Sequence, residues 1–294
     1  MRSLECGLAI LVLMQPDQEV IKRWTGSAPF WEKHREVIRE MFSPITQALA
    51  EDGQIAKGQL ILDVGTGPGE PALSLAGLVG AGGKIIGIDP VAEMVAAARR
   101  AAQRVGIGNV QFEVASGENL PFADNTFDAA ISRFGIMFVP SPIDALREML
   151  RVLKPGKKLV LAVWHHAERN PFHYALSRVM DRYVESPPLA PDALDAFRFA
   201  DPGKLLTILG QAGVSGASER LLRFEIHAAI PVEEFWKLRV EMSEKLREKL
   251  TKLSEEQMFE VKRESLESLG EFSAERGMSF PAEVLMVSGS KGRE

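Results

Sequence analysis

Cysteine is almost missing from this chain: Cys6 is the only one in 294 residues. Intrachain disulfides and thiolate metal clusters are thereby excluded, and a reducing cytoplasm is the expected compartment. An excess of positive charge is missing too, since 35 Lys and Arg stand against 40 Asp and Glu, a formal net charge of -5. That balance gives no general attraction to polyanions, so neither nucleic acid nor an anionic membrane is an expected partner. A membrane-spanning run is not expected either. Leu8 to Met14, in "MRSLECGLAILVLMQPDQEV", is seven residues long where a spanning helix needs roughly 20. It leads into Gln15-Pro16-Asp17 rather than a small-residue cleavage site. The preferred expectation is that Met14 is the native start and residues 1–13 are not native; a degenerate signal and an ordinary packed segment are the alternatives.

Apolar residues make up 46% of the chain, enough for one large domain or a domain with a substantial insertion. From Pro16 to Ala56, apolar residues such as Trp24, Trp31, Ile38, Phe42, Ile45 and Leu49 recur at three-to-four spacing among charges, which predicts two or three helices. A regular alternation follows. Strands are predicted over 59–64, 84–89, 110–115, 127–132 and 158–164, with helices over 71–79, 91–105 and 142–153. Strands separated by helices of about a dozen residues imply a parallel sheet covered on both faces. After Trp164 the pattern predicts a helix over 171–183, a proline-rich crossing, a helix over 202–212, and strands over 218–230 and 279–288. The residues between those two strands are strongly helical and suit a lid beside a sheet.

The stretch "ILDVGTGPGEPALSLA", residues 61–76, places Gly65, Gly67 and Gly69 between the first strand and its helix. Strand ends at that place in an open α/β sheet face the ligand crevice, and glycines let the backbone approach a ligand closely. A dinucleotide fingerprint reads G-x-G-x-x-G; here Glu70 occupies the third glycine position. Asp63 and Glu70 bracket the loop with negative charge, which repels a diphosphate and suits an ammonium or sulfonium, pointing to S-adenosylmethionine. Asp89 ends the second strand, 22 residues after Gly67, where a carboxylate can accept from ribose hydroxyls. That spacing suits NAD equally.

These motifs, together with Met94 behind Asp89-Pro90, "GENLPF", "DNTFDAAIS" and "ALREMLRVLKPGKKLVLAVW", resemble class I S-adenosylmethionine-dependent methyltransferases. The likeness is to the type 11 group that includes the ubiquinone/menaquinone-biosynthesis C-methyltransferases, and it covers about residues 58–165. It implies a Rossmann-like, doubly wound seven-stranded α/β sheet, mostly parallel with the last strand antiparallel, carrying helical N-terminal and lid insertions. The implied divisions are an N-terminal helical segment over 1–57, a cofactor-binding domain over 58–230 with a helical insertion at about 165–200, a lid over 231–277, and a final strand and tail over 278–294. It further implies that Asp63, Gly65, Thr66, Gly67 and Gly69 hold the methionine part, Asp89 and Pro90 the ribose region, and Met94 the adenine. Many members of the family have Asp at the position of Ser116; here Ser116, Gly117 and Glu118 must share the adenine contact. Arg133 and Phe134 sit beyond the fourth strand, where methyl and acceptor meet.

Three of the five histidines, His165, His166 and His173, follow the fifth strand, but their spacing, interrupted by Asn170-Pro171, does not suit a metal site. Solvated surface histidines are the favoured reading; the alternative is that one of the three is a general base near the acceptor, with His165 and His166 the named candidates and Arg133 the other catalytic candidate. "NPFH" at 170–173 resembles the Asn-Pro-Pro-aromatic motif of DNA amino-methyltransferases, yet it lies after the wrong strand. Arsenite methylation needs several thiols, and no Asp-rich arrangement suggests a Mg²⁺ mechanism. The expected function is methyl transfer to O, N or C of a small, apolar or aromatic acceptor, by a monomer or homodimer. The aromatic candidates for its pocket are Trp24, Trp31, Phe134, Phe138, Trp164, Phe172, Tyr174 and Trp236. Alternatives are a non-catalytic sensor or assembly partner and, less favoured, an NAD(P)-dependent oxidoreductase.

Overall fold

The computed structural model describes residues 18–186, 190 and 192–293, so Cys6 and the choice between Met1 and Met14 lie outside the described residues. Five strands run parallel: β1 (Leu60–Val64), β2 (Lys84–Asp89), β3 (Val110–Val114), β4 (Phe127–Arg133) and β5 (Leu153–Trp164), in the spatial order β3-β2-β1-β4-β5. β1 reads LILDV and β4 reads FDAAISR, both buried almost throughout. Strands that read this way are covered on both faces. The order reverses between β1 and β4, which opens a crevice at their carboxyl ends.

The sheet continues with β8 (Gly277–Ser290), antiparallel to β5, and closes at its far edge with β6 (Ser215–Ala228). Seven strands therefore form the path, with the last one antiparallel; a two-residue strand, β7 (Ser273–Ala274), pairs with β8 as an addition. Exposed Arg220, Arg223 and Glu225 lie along β6, and such charges keep an edge strand from recruiting another chain. β5 starts earlier than predicted, because Lys154-Pro155-Gly156 is taken up where the register with β4 shifts, with Gly156 at φ 74°.

Three helices precede the sheet, α1 (Gln18–Lys33), α2 (Arg35–Met41) and α3 (Ser43–Asp52). α4 (Ala72–Val79), α5 (Ala92–Val105) and α6 (Pro142–Val152) are the crossovers, and α1 packs against α5. Beyond the parallel strands come α7 (Pro171–Met180) and α8 (Lys204–Ala212). Between β6 and β8 lie α9 (Val232–Met242), α10 (Glu244–Leu250) and α11 (Glu255–Gly270). α11 starts at a capping box, in which Ser254 Oγ accepts from Gln257 N while the Gln257 side chain accepts from Ser254 N. Phe235 and Leu238 of α9 and Val261 and Leu269 of α11 are fully buried in the same hydrophobic cluster as the sheet. The helical segment between β6 and β8 thus shares the core and roofs the crevice. No helix among the described residues is long and apolar enough to cross a membrane.

Candidate active site

The glycine loop leaves β1 with Gly65, Gly67 and Gly69 at φ 76°, 55° and 104°, a region that L side chains avoid. A Cβ on Gly65 would stand 2.9 Å from Gly135 Cα, so the loop after β1 and the loop after β4 touch across the strand-order reversal. A Cβ on Gly69 would instead meet Leu73 Cδ1 at 2.8 Å. Gly69 therefore serves the packing of α4, and it does not line the cavity that opens here.

Beneath the loop, Asp63 is fully buried and Oδ2 accepts from Thr66 Oγ1 at 2.7 Å, while Oδ1 has no partner. Burial pushes its carboxyl up to about 7, although the Thr66 hydrogen bond and Arg133 oppose this. Asp63 lies behind the cavity wall rather than in it; the acid that faces the cavity is Glu70. Glu70 Oε2 accepts from Ser74 Oγ at 2.6 Å, and Oε1 is 3.5 Å from Arg35 Nη1. Arg133 lines the cavity, donates to Thr46 Oγ1 at 2.9 Å and sits over the Phe42 ring. Its guanidinium is held below its ordinary range by burial, against the pull of Glu70 and Asp63. The loop thus rests on a buried set of two acids and two arginines.

Asp89 lies across the loop. Its Oδ2 accepts from Gly67 N and its Oδ1 from Val91 N, each at 3.0 Å. The carboxylate both shapes the loop and caps the turn into α5, and each oxygen keeps capacity for a further donor from a ligand. Burial pushes it up to about 6. Pro90 and Met94 line the same wall, and Met94 packs with Val91 and Ala28 against Trp24 and Trp31. On the facing side, Ser116, Gly117 and Glu118 also line the cavity. Glu118 Oε1 accepts from Ser141 N at 2.6 Å, and Oε2 accepts from Ser116 Oγ at 3.3 Å. This carboxylate ties the loop after β3 to the start of α6.

From this cradle one cavity of about 690 Å³ runs under α9 and α10 into an aromatic chamber. Its volume is within the range of ligand sites, roughly 300–1,000 Å³. Phe134, held at φ 64°, stacks on Trp164 at 4.4 Å, and Trp164 stacks on Phe172 at 6.2 Å. All the aromatic residues proposed for a pocket line it except Trp236.

The histidines are arranged differently from expectation. His165 and His166 do not line the cavity. Side chains alternate along a strand, so with Trp164 turned inward His165 points away, 3.4 Å from Glu283, and His166 lies 3.5 Å from Asp201 near the surface. His173, in the first turn of α7, is the histidine in the wall. Its Nε2 is buried without a partner, and burial together with the charge of Arg239 holds the imidazole well below its ordinary range, hence neutral.

Two further residues of the wall, Arg35 and Arg239, are not singled out by the sequence, and Glu70 is singled out there only as an acid flanking the loop. Arg239 carries a legible signal, because Phe235, Leu238, Arg239 and Met242 form an i, i+3, i+4, i+7 stripe that is buried in α9. A charge at such a position marks either an internal ion pair or a ligand.

Residues 62–161 match the family model Methyltransf_11, described as a methyltransferase domain. The ubiquinone/menaquinone biosynthesis C-methyltransferase UbiE of Escherichia coli is 37% identical over 130 residues, covering 44% of this chain and 50% of that protein. The chain spans about half the length of the curated relatives it matches. Among solved structures, the YcgJ protein of Bacillus subtilis has a TM-score of 0.55 at 19% identity, covering 86% of this chain and 99% of that one. The [4+2]-cyclase SpnF has a TM-score of 0.53 at 19% identity, covering 92% and 98%. These two likenesses concern the fold.

Proposed function

We propose that this chain, whose residues 62–161 match a methyltransferase-domain family model, is a class I S-adenosylmethionine-dependent enzyme that transfers a methyl group from that cofactor to a small apolar acceptor. The observation that carries the reading is one continuous cavity, walled at one end by the glycine loop and Asp89 and at the other by stacked aromatic rings.

The cradle fits the cofactor. Gly65 and Gly67 bring bare backbone to the cavity, Glu70 offers a carboxylate to a cation, and Asp89 keeps acceptor capacity for hydroxyl donors. Asp63 and Arg133 act from behind and beside the loop as positioning residues. When bound, S-adenosylmethionine supplies an electrophilic methyl group on a sulfonium. The chain's own task is to exclude water and hold the acceptor atom in line, at about 3–3.5 Å from the group it attacks. Trp164, Phe134 and Phe172 supply the dry wall, and α9 with α10 supplies the roof. Of the three histidines after β5, His173 is the one in the cavity wall; neutral there, it is the residue that accepts the acceptor's proton.

Calorimetry with S-adenosylhomocysteine, followed by transfer of labelled methyl groups to a panel of acceptors, tests this. Binding tighter than about 1 mM is expected; silence at millimolar ligand refutes it. A second reading, a non-catalytic or differently catalytic protein on this fold, draws support from the likeness to a [4+2]-cyclase. Tight cofactor binding without transfer to any acceptor favours it. A nicotinamide enzyme is disfavoured by the Glu70 carboxylate in the cavity wall, where a diphosphate would have to lie.

A further inference from the structure

Arg239 is the buried charge of the cavity wall that has no ion pair and no side-chain hydrogen bond among the described residues. The residue is 7% exposed, it lines the cavity from α9, and its Nε has no hydrogen-bond partner. No carboxylate among the described residues lies within ion-pair distance of it. Its guanidinium lies over the Phe172 ring, with Cζ 4.1 Å from the centroid, a contact that leaves its N–H donors unengaged. Burial alone, with no acid to offset it, pushes its pKa down to about 10.

The other two buried arginines of this cavity have charged or hydrogen-bonded partners, although Arg35 Nε is itself buried without one. Arg35 has Glu70 and Glu36, and Arg133 has Thr46 together with the field of Glu70 and Asp63. At the rim, Lys245 pairs with Asp195 and Lys249 with Asp181. An unpaired buried charge is among the costliest features a fold can carry, and here it replaces an apolar residue in the stripe of α9.

We infer that Arg239 is the recognition residue for a carboxylate on the methyl acceptor, which is a flat apolar monoanion; the inference rests on the methyltransferase reading of the same cavity. Three observations define that class. Beyond Arg35 and Arg133, Arg239 is the one buried cation of the cavity wall among the described residues, and the neighbouring His173 is held neutral. A planar fork stacked on a ring presents two parallel N–H groups to a planar carboxylate. The stack from Phe134 through Trp164 to Phe172 separates Arg239 from Gly135, which touches the glycine loop. The carboxylate therefore sits at the end of the acceptor remote from the methylated atom, with an aromatic or similarly flat body between.

The test is calorimetric titration of the full chain with three probes of one shape, 2-naphthoate, 2-naphthamide and 2-naphthyl phosphate, each with and without S-adenosylhomocysteine. Wild-type protein should bind the carboxylate about tenfold or more tighter than the amide, a margin typical of a charge-assisted bidentate pair. In Arg239→Met that preference should vanish through loss of carboxylate affinity, with the amide changed by less than about threefold, and Arg239→Lys should fall between. Equal binding of carboxylate and amide by the wild type overturns the inference, as does tighter binding of the phosphate, a preference that survives in Arg239→Met, or no naphthoate binding at millimolar concentration. Absence of S-adenosylhomocysteine binding defeats the methyltransferase reading instead, while the titrations without it still decide the role of Arg239.

Discussion

The two ends of the cavity are built in opposite ways. At the glycine-loop end nearly every polar group that shapes the wall is engaged by the protein: Asp89 by Gly67 and Val91, Glu70 by Ser74 and Arg35, Glu118 by Ser141 and Ser116, and Arg133 by Thr46. At the aromatic end Arg239 Nε and His173 Nε2 are buried without partners, and no other atom of either side chain is held by a side-chain hydrogen bond or ion pair among the described residues; at the loop end Arg35 Nε and Asp63 Oδ1 are buried without partners too, but each belongs to a side chain held by its other atoms. A cradle whose hydrogen bonds are already made is rigid before its ligand arrives, and a chamber with unmet donors is completed by what enters it. Rigidity suits the invariable part of a reaction, the methyl donor, and incompleteness encodes the choice of acceptor.

The contrast predicts that substitutions at the first end damage the protein and cofactor binding together, whereas those at the second spare both. The largest effect should come from Gly65→Val. Its φ of 76° and the 2.9 Å approach to Gly135 leave no room for a side chain. S-adenosylhomocysteine affinity should drop by about 100-fold or more, with a lowered melting temperature. His173→Gln should reduce the methyl-transfer rate by about 100-fold, in keeping with loss of a general base, while cofactor affinity measured by calorimetry stays within about threefold. If cofactor affinity collapsed as well, the division between the two ends would be broken.

The pH response of the cradle sharpens the comparison. Burial raises Asp89 from 3.8 to about 6, so in the free protein its protonated form is favoured by the fold. That stabilising contribution is fully present below 3.8 and is lost as pH rises through about 6. A ligand whose hydroxyls donate to the carboxylate favours the ionised form, so cofactor affinity should move the opposite way. It should weaken by up to about tenfold per pH unit below 6, and the slope should disappear in Asp89→Asn. Opposite trends in melting temperature and affinity across this window are the signature to seek. The smallest effect has an unusual sign: Arg239→Met should stabilise the free protein by about 1–3 kcal/mol, read as a raised denaturation midpoint, because it replaces an unpaired buried charge with an apolar side chain.

The same division governs what the amino-acid sequence discloses. The strands β1 to β5, their crossover helices and the glycine loop follow from local signals, apolar runs of strand length and glycines at fixed offsets, and they occur within a few residues of expectation. Asp63 is legible as an acid of the loop, but its depth behind the wall is a tertiary fact, set by its place in a strand flanked on both sides by β2 and β4. His165 and His173 differ by eight positions, and which one faces the cavity depends on the side to which Trp164 turns at the end of β5. Arg239 stands in the apolar stripe of α9, yet a charged helix read residue by residue looks like a solvated face. What converts such an arginine into a site is the absence of a carboxylate near it, which only the packing of α9 over Phe172 reveals.

Titration of the full chain at pH 8 with S-adenosylhomocysteine, repeated on Gly65→Val and Arg239→Met, bears most directly on the two-ended cavity. The account predicts one-to-one binding by the wild type, undiminished in Arg239→Met and lost in Gly65→Val. Binding that survives in Gly65→Val, or that is absent from the wild type at millimolar ligand, would contradict it.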